Sequence, residues 1–288
     1  MVYYICYIGL FMRKYDRTKK IKHLDYNYRI TFYVGGLSME EAINGSALLM
    51  LSGGRDSFYS ACKLVAKGYY VYMITYDNGH MSRVDAAAEV GKRIENHFGR
   101  NKARYLGVYP IASRIGPLLE KIYNRSVVQL CSDYPHILVS QINCLACHTV
   151  MYWNSIALCK AMDIKVLSEG ARKSQGFFVE QLEMRKRYEA LCKEYDICLE
   201  LPAFDLDSDQ ERKNVLADWG FLPKTCETQC WLGCPMSEPL SEDNIKDLAR
   251  YYDNEVLPKA KEIIDLLIPV KENNIRQLDS GIIVHDFA

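Results

Sequence analysis

Residues 47–58 read ALLMLSGGRDSF. The run 47–51 is wholly apolar, which predicts a buried strand. Ser52, Gly53, Gly54, Arg55, Asp56 and Ser57 follow, and then a segment of helical period with Phe58, Ala61, Cys62 and Val65 on one face. The turn therefore falls between a strand and a helix N-terminus. Its two glycines let the backbone approach a ligand closely. Free N–H groups and the helix dipole favour an anion there, and Ser52 and Ser57 add hydroxyl donors. Asp56 would repel a bare phosphate, so its presence implies a cation between carboxylate and phosphate. The plainer alternative is a Gly-Gly turn that only links strand to helix.

The chain of 288 residues is long enough for one or two domains with a large core. Hydrophobic content of 49% and charged content of 25% are those of an ordinary globular protein. Lys plus Arg equals Asp plus Glu, 36 each, so net charge gives no support for a nucleic-acid partner and excludes none. No apolar run has the length of a membrane span. Residues 2–12 are apolar but lack the basic start and small-residue cleavage site of a signal peptide. A cytoplasmic protein without a membrane partner is expected. Eleven cysteines, an odd number with two closely spaced groups, point to metal or sulfur chemistry rather than a disulfide framework.

Outward from the turn, strand and helix alternate. Strands are expected at 70–76, 103–108, 164–168 and 197–201. Helices are expected at 84–98, 111–123, 136–142, 149–162, 177–192 and 243–267. Residues 124–135 read as irregular. Ser208 reads as the N-cap of a helix through Trp219, with Glu211 completing a capping box. This alternation predicts an α/β fold with a doubly wound parallel sheet, its ligands at the strand C-terminal ends. Residues 1–38 read as a small β-hairpin-like appendage before a catalytic domain spanning 40–288. The basic, tyrosine-bearing stretch 13–28 inside it reads as a solvated loop, with nucleic-acid contact as the alternative.

Ser-Gly-Gly-x-Asp-Ser after an apolar strand resembles the PP-loop of the N-type ATP pyrophosphatases. It is not a Walker A loop, because no Gly-Lys-Ser/Thr end is present. The resemblance implies ATP and Mg, cleavage between the α and β phosphates, and adenylation of a carbonyl oxygen. On that pattern Ser52, Gly53, Gly54 and Ser57 hold the pyrophosphate and Asp56 helps to place Mg. Thr75 and Tyr76, at the end of the second strand, match the adenine-binding edge. Gly170 after the fourth strand matches the second nucleotide loop. Arg172 and Lys173 are candidate catalytic cations for the leaving pyrophosphate; two surface cations are the alternative.

Cys144 and Cys147 form a Cys-x-x-Cys pair just before the helix expected from Thr149, and Cys226, Cys230 and Cys234 form a second group. Thiolates so spaced suit zinc or an iron–sulfur cluster. The first pair resembles that of tRNA 2-thiolation enzymes, in which a later cysteine completes a [4Fe-4S] site. The second resembles the zinc loop of 7-cyano-7-deazaguanine synthases, with three cysteines where those enzymes keep four. The residues at 169–175 lack the Gly-His-x-x-Asp-Asp that many tRNA-thiolating relatives carry. Both acceptors stay open, tRNA for sulfur transfer and a small deazapurine carboxylate for nitrile formation. So do a non-catalytic nucleotide-binding module and a homodimer. Cys6, Cys62, Cys159, Cys192 and Cys198 read as small core residues. His80, His136 and His148 read as structural histidines.

Overall fold

The computed structural model describes residues 44–111, 127–206, 208–221, 229–230 and 240–279. The expectations for 1–38 and 112–123, and those for Cys226 and Cys234, lie outside the described residues. Five strands form a parallel sheet: β1 (Ser46–Met50), β2 (Tyr70–Asp77), β4 (Ala103–Pro110), β5 (Val166–Glu169) and β6 (Cys198–Glu200). Their order is β4-β2-β1-β5-β6. A separate antiparallel pair joins β3 (Met81–Ser82) to β7 (Gln229–Cys230).

The central position of β1 explains its composition. A strand with helices on both faces has no wet side, so its residues are apolar without alternation. Ala47, Leu48, Leu49 and Met50 are all buried. Successive side chains point to opposite faces. Ala47, Leu49 and Leu51 join Val71 and Met73 of β2 in a core packed under helices α1 (Arg55–Ala66), α2 (Val84–Phe98) and α6 (Asp209–Asp218). The alternate residues face helix α4 (Val139–Ala161), where the Tyr76 hydroxyl lies 2.8 Å from Ser155 Oγ. Truncating a filled core position such as Leu49 to alanine should cost about 2–5 kcal/mol.

Several elements depart from expectation. A short helix, α3 (Val127–Asp133), occupies a stretch expected to be irregular. Helix α4 runs without a break through residues 143–148, so the Cys-x-x-Cys pair lies inside it rather than before it. Helix α5 (Leu182–Glu194) begins later than expected, after two 3-10 turns at Lys173–Gln175 and Phe178–Glu180. Ser208 caps α6, but its hydroxyl accepts from Gln210 N at 3.2 Å rather than from Glu211. The expected long C-terminal helix is α7 (Glu242–Tyr251), a π turn (Tyr252–Val256) and α8 (Leu257–Asp279). The adjacent Tyr251 and Tyr252, where α7 passes into the π turn, are both buried. Cys62, Cys159 and Cys192 are buried as expected, whereas Cys198 is exposed on the edge strand β6.

Candidate functional site

β1 lies between β2 and β5, so the chain's progress across the sheet reverses beside it. Ligands of doubly wound sheets bind at such a switch point, beyond the strand C-termini. Met50 pairs with Glu169 in register. The turns that leave β1 and β5 are therefore neighbours: Ser52–Ser57 from one strand, Gly170–Lys173 from the other.

The first turn is built by its own hydroxyls. Gly53 adopts φ of 78°, a left-handed conformation that favours glycine. Ser57 Oγ donates to Gly54 O at 3.0 Å, and Gly54 N donates to Ser52 Oγ at 3.2 Å. The two hydroxyl oxygens are 3.1 Å apart. Both serines thus brace the turn at the α1 N-terminus. Gly170 presses against that same helix end, where a Cβ would lie 2.4 Å from Ser57 N. Ser60 Oγ also donates to Glu169 O at 3.3 Å.

Charge gathers around Asp56, in the first turn of α1. Its Oδ1 lies 2.9 Å from Arg212 Nε and its Oδ2 lies 3.4 Å from Arg172 Nε. Arg212 comes from α6 and also reaches Asp209 through Nη2 at 2.8 Å. Asp209 in turn meets Arg55 at 2.9 Å and Lys213 at 2.7 Å. Lys213, then Arg212, hold the Asp209 carboxyl well below the usual range. The chain Arg172–Asp56–Arg212–Asp209–Arg55 joins both turns to α6. Lys173 is exposed, and its backbone N–H donates to Phe204 O at 3.0 Å.

Behind the second turn lie two buried carboxylates. Glu180 Oε1 accepts from the Arg172 backbone N–H at 3.0 Å. Burial pushes the Glu180 carboxyl up to about 7, against the pull of that hydrogen bond. Glu169 pairs with Arg185, and Tyr152 donates to it at 2.6 Å. Burial raises the Glu169 carboxyl, but Arg185, His148 and Tyr152 together outweigh burial and hold it below its ordinary value. Tyr152 and Tyr188 stack at 4.4 Å with Arg185 beside them. His148, within reach of these rings, is pushed down by burial.

At the end of β2, Thr75 Oγ1 donates to Leu51 O at 2.9 Å and ties the strand to the first turn. Leu51 N donates to Ile74 O, so alternation directs the Tyr76 backbone toward the side where β1 has ended. The Tyr76 ring is buried against Tyr109. Tyr76 therefore presents backbone, rather than its side chain, at this edge, while the Thr75 backbone lies on the β4 side, where Thr75 is paired with Val108.

Of the three candidate metal-binding cysteines among the described residues, Cys147 and Cys230 meet in space. Asn78 Nδ2 lies 3.4 Å from Cys147 Sγ and 3.6 Å from Cys230 Sγ. The β3–β7 pair brings Cys230 here by setting it opposite Met81. Cys144 lies one turn before Cys147 on α4. Burial pushes the Cys147 thiol up to about 11, Asn78 lowers it and Cys230 raises it further. Among the described residues, no group of three or more His, Cys, Asp and Glu is arranged to hold a metal. Two adjacent soft donors fit half of a zinc or cluster site.

The residues missed at the sequence level are Asn78, Glu169, Glu180, Arg185, Asp209 and Arg212. Arg212 carries a usable signal. It stands four residues before Leu216, and both face the interior of α6. A charge in phase with an apolar stripe is buried rather than solvated.

No helix among the described residues is long and apolar enough to cross a membrane. No protein-family model matches the chain, and no curated protein does. Among solved structures, the chain is similar to a protein of Methanocaldococcus jannaschii titled a predicted subunit of tRNA methyltransferase. The TM-score is 0.37 and the identity 15%, over 68% of this chain and 99% of that one. A likeness of that size says nothing about activity.

Proposed function

We propose that the chain is an AMP-forming, ATP-dependent adenylating enzyme of the PP-loop type. The observation that carries this reading is the Ser52–Ser57 turn at the β1/β5 switch point, with Arg172 and Arg212 converging on it. In this account Ser52, Gly53, Gly54 and Ser57 bind the β and γ phosphates at the α1 N-terminus. The end of β2, with Thr75 tying it to the first turn and the Tyr76 backbone at the edge, reads adenine, and Gly170 lets the second nucleotide loop close against the α1 N-terminus. Asp56 would help to place the Mg that accompanies ATP, and the ion would supply charge neutralisation.

A substrate carbonyl oxygen attacks the α-phosphorus. The bond to the β-phosphate oxygen breaks, and pyrophosphate leaves with the electron pair. Arg172 and Lys173 stabilise that charge. A sulfur or nitrogen nucleophile then adds at the activated carbon, and AMP departs.

Sulfur transfer to a tRNA base is favoured as the second half, because Cys147 and Cys230 converge on Asn78 at the end of β2, the strand proposed to read adenine. These thiols, with Cys144, Cys226 and Cys234, would hold zinc or a [4Fe-4S] cluster. When bound, a cluster supplies a place for the sulfur donor. Nitrile formation on a 7-deazapurine carboxylate is the second reading, and it needs no nucleic acid.

ATP–pyrophosphate exchange in the presence of bulk tRNA, and separately of a 7-carboxy-7-deazapurine, tests the function. Exchange with either acceptor supports the enzyme. Nucleotide binding with no exchange in either case would mark a binding module instead. Anaerobic purification with metal and sulfide analysis separates a cluster from zinc.

A further inference from the structure

Arg212 is an unusual residue to bury. Its side chain is 3% exposed, and its Nε and Nη1 have no hydrogen-bond acceptor among the described residues. Nε is 2.9 Å from Asp56 Oδ1 but not aligned to donate to it, and only Nη2 has a well-formed bond, to Asp209. Removing a guanidinium from water is costly unless its donors are satisfied. The surroundings add to the imbalance. Among the described residues, the side chains of Arg55, Arg172, Arg212 and Lys213 form ion pairs with Asp56 and Asp209 alone, four cations to two carboxylates. The N-terminus of the twelve-residue helix α1 contributes further positive potential at the same place. The arrangement has more donors and more positive charge than its own carboxylates answer.

We propose that Arg212 is a direct ligand of the pyrophosphate portion of ATP, and that Asp56 is an internal stand-in for that anion. Resting on the proposed function, this adds a contact from α6 that the turn motif does not contain. Without nucleotide, the Asp56 carboxylate lies between Arg172 and Arg212, one oxygen toward each. A diphosphate entering over the α1 N-terminus brings more acceptor oxygens than one carboxylate and takes over both guanidinium groups. The displaced Asp56 then turns to the Mg that arrives with the nucleotide. Asp56 thus competes with a bare pyrophosphate and cooperates with a magnesium-bound one. Asp209 keeps its bond to Arg212 Nη2 throughout, so the guanidinium stays anchored to α6 while its other donors change partner.

The test is calorimetric titration of the full chain and its variants with three probes: inorganic pyrophosphate in EDTA, MgATP and AMP. Wild type should bind pyrophosphate and MgATP. Arg212→Met should weaken both by about 10- to 100-fold, the value of one or two charge-assisted hydrogen bonds, and leave AMP unchanged. Arg212→Lys should recover part of the loss, and circular dichroism checks that each variant is folded. Asp56→Asn should bind pyrophosphate in EDTA more tightly than wild type, by about tenfold, yet bind MgATP more weakly. A purely structural Asp56 would not produce these opposite signs. If wild type binds the nucleotide and Arg212→Lys and Arg212→Met bind all three probes as wild type does, the inference is overturned while the proposed function stands. If Asp56→Asn binds pyrophosphate no more tightly than wild type, the stand-in role is overturned. If wild type binds neither pyrophosphate nor MgATP, the proposed function falls and the inference falls with it.

Discussion

A Cβ at Gly170 would stand 2.4 Å from the backbone nitrogen of Ser57 and 2.8 Å from its Cα. The obstacle is backbone at the start of α1, not a flexible side chain, so either α1 or the turn after β5 has to move. Gly170→Ala should destabilise the protein by about 1–3 kcal/mol, the usual cost of overpacking, and should weaken MgATP binding. Chemical denaturation and calorimetry on the same variant check both. Wild-type stability in Gly170→Ala would contradict the close approach of the two turns.

Arg185 and Glu169 form a buried pair behind the site, with side chains 4% and 8% exposed. Removing one partner strands the other charge. Arg185→Met should therefore cost about 3–5 kcal/mol, and adding Glu169→Gln should return part of it. A urea-denaturation cycle over the two single variants and the double variant measures the coupling. Additive losses would show that the pair does not act as a unit.

Glu180 makes stability depend on pH. Its carboxyl titrates near 7 in the folded chain, against an ordinary value of 4.5. Between these values the folded state holds a proton that the unfolded state has lost. The contribution is fully present below pH 4.5 and is lost as pH rises through about 7, with a slope of at most about 1.4 kcal/mol per pH unit. Glu180→Gln should flatten the decline over that window, measured by denaturation at several pH values. An unchanged slope would mean that Glu180 titrates normally.

Much of the fold is legible in the sequence because its signals are local. The unbroken apolar run at 47–51 suits an interior strand, and helix α2 falls at Val84–Phe98 as its period predicts. The interior of α4 is harder to read. Residues 143–148 read as the gap between two expected helices, yet Leu145 and Ala146 are buried and the helix runs on through them, and just beyond, its polar side chains bond to its own carbonyls: Thr149 donates to Leu145 O at 2.7 Å and Asn154 to Val150 O at 2.8 Å. The late start of α5 follows from Gly176 in a left-handed conformation at φ 76° and from Glu180 turning back to Arg172 N. At the site, the Ser52–Ser57 turn is readable as a motif. Its charge partners are not, because Arg212 and Asp209 come from α6 and join the Asp56 network only through the tertiary fold. Asn78 likewise gains its place between Cys147 and Cys230 from the β3–β7 pairing.

The cysteine arrangement makes its own forecast. Cys147→Ser and Cys230→Ser should each lower bound zinc or iron in anaerobically purified protein, whereas Cys131→Ser, at an exposed position, should not. Elemental and sulfide analysis provides the readout. Equal metal content in wild type and all three variants would separate Cys147 and Cys230 from any metal site.

The central claim is cleavage of ATP between the α and β phosphates. Its most direct measurement uses ATP labelled at the α-phosphate, incubated with the protein, magnesium, and either bulk tRNA or a 7-carboxy-7-deazapurine, with products separated by chromatography. Label should appear in AMP and in an adenylated acceptor, with pyrophosphate released in equal amount to the label transferred. Label accumulating in ADP, with release of orthophosphate, would contradict it.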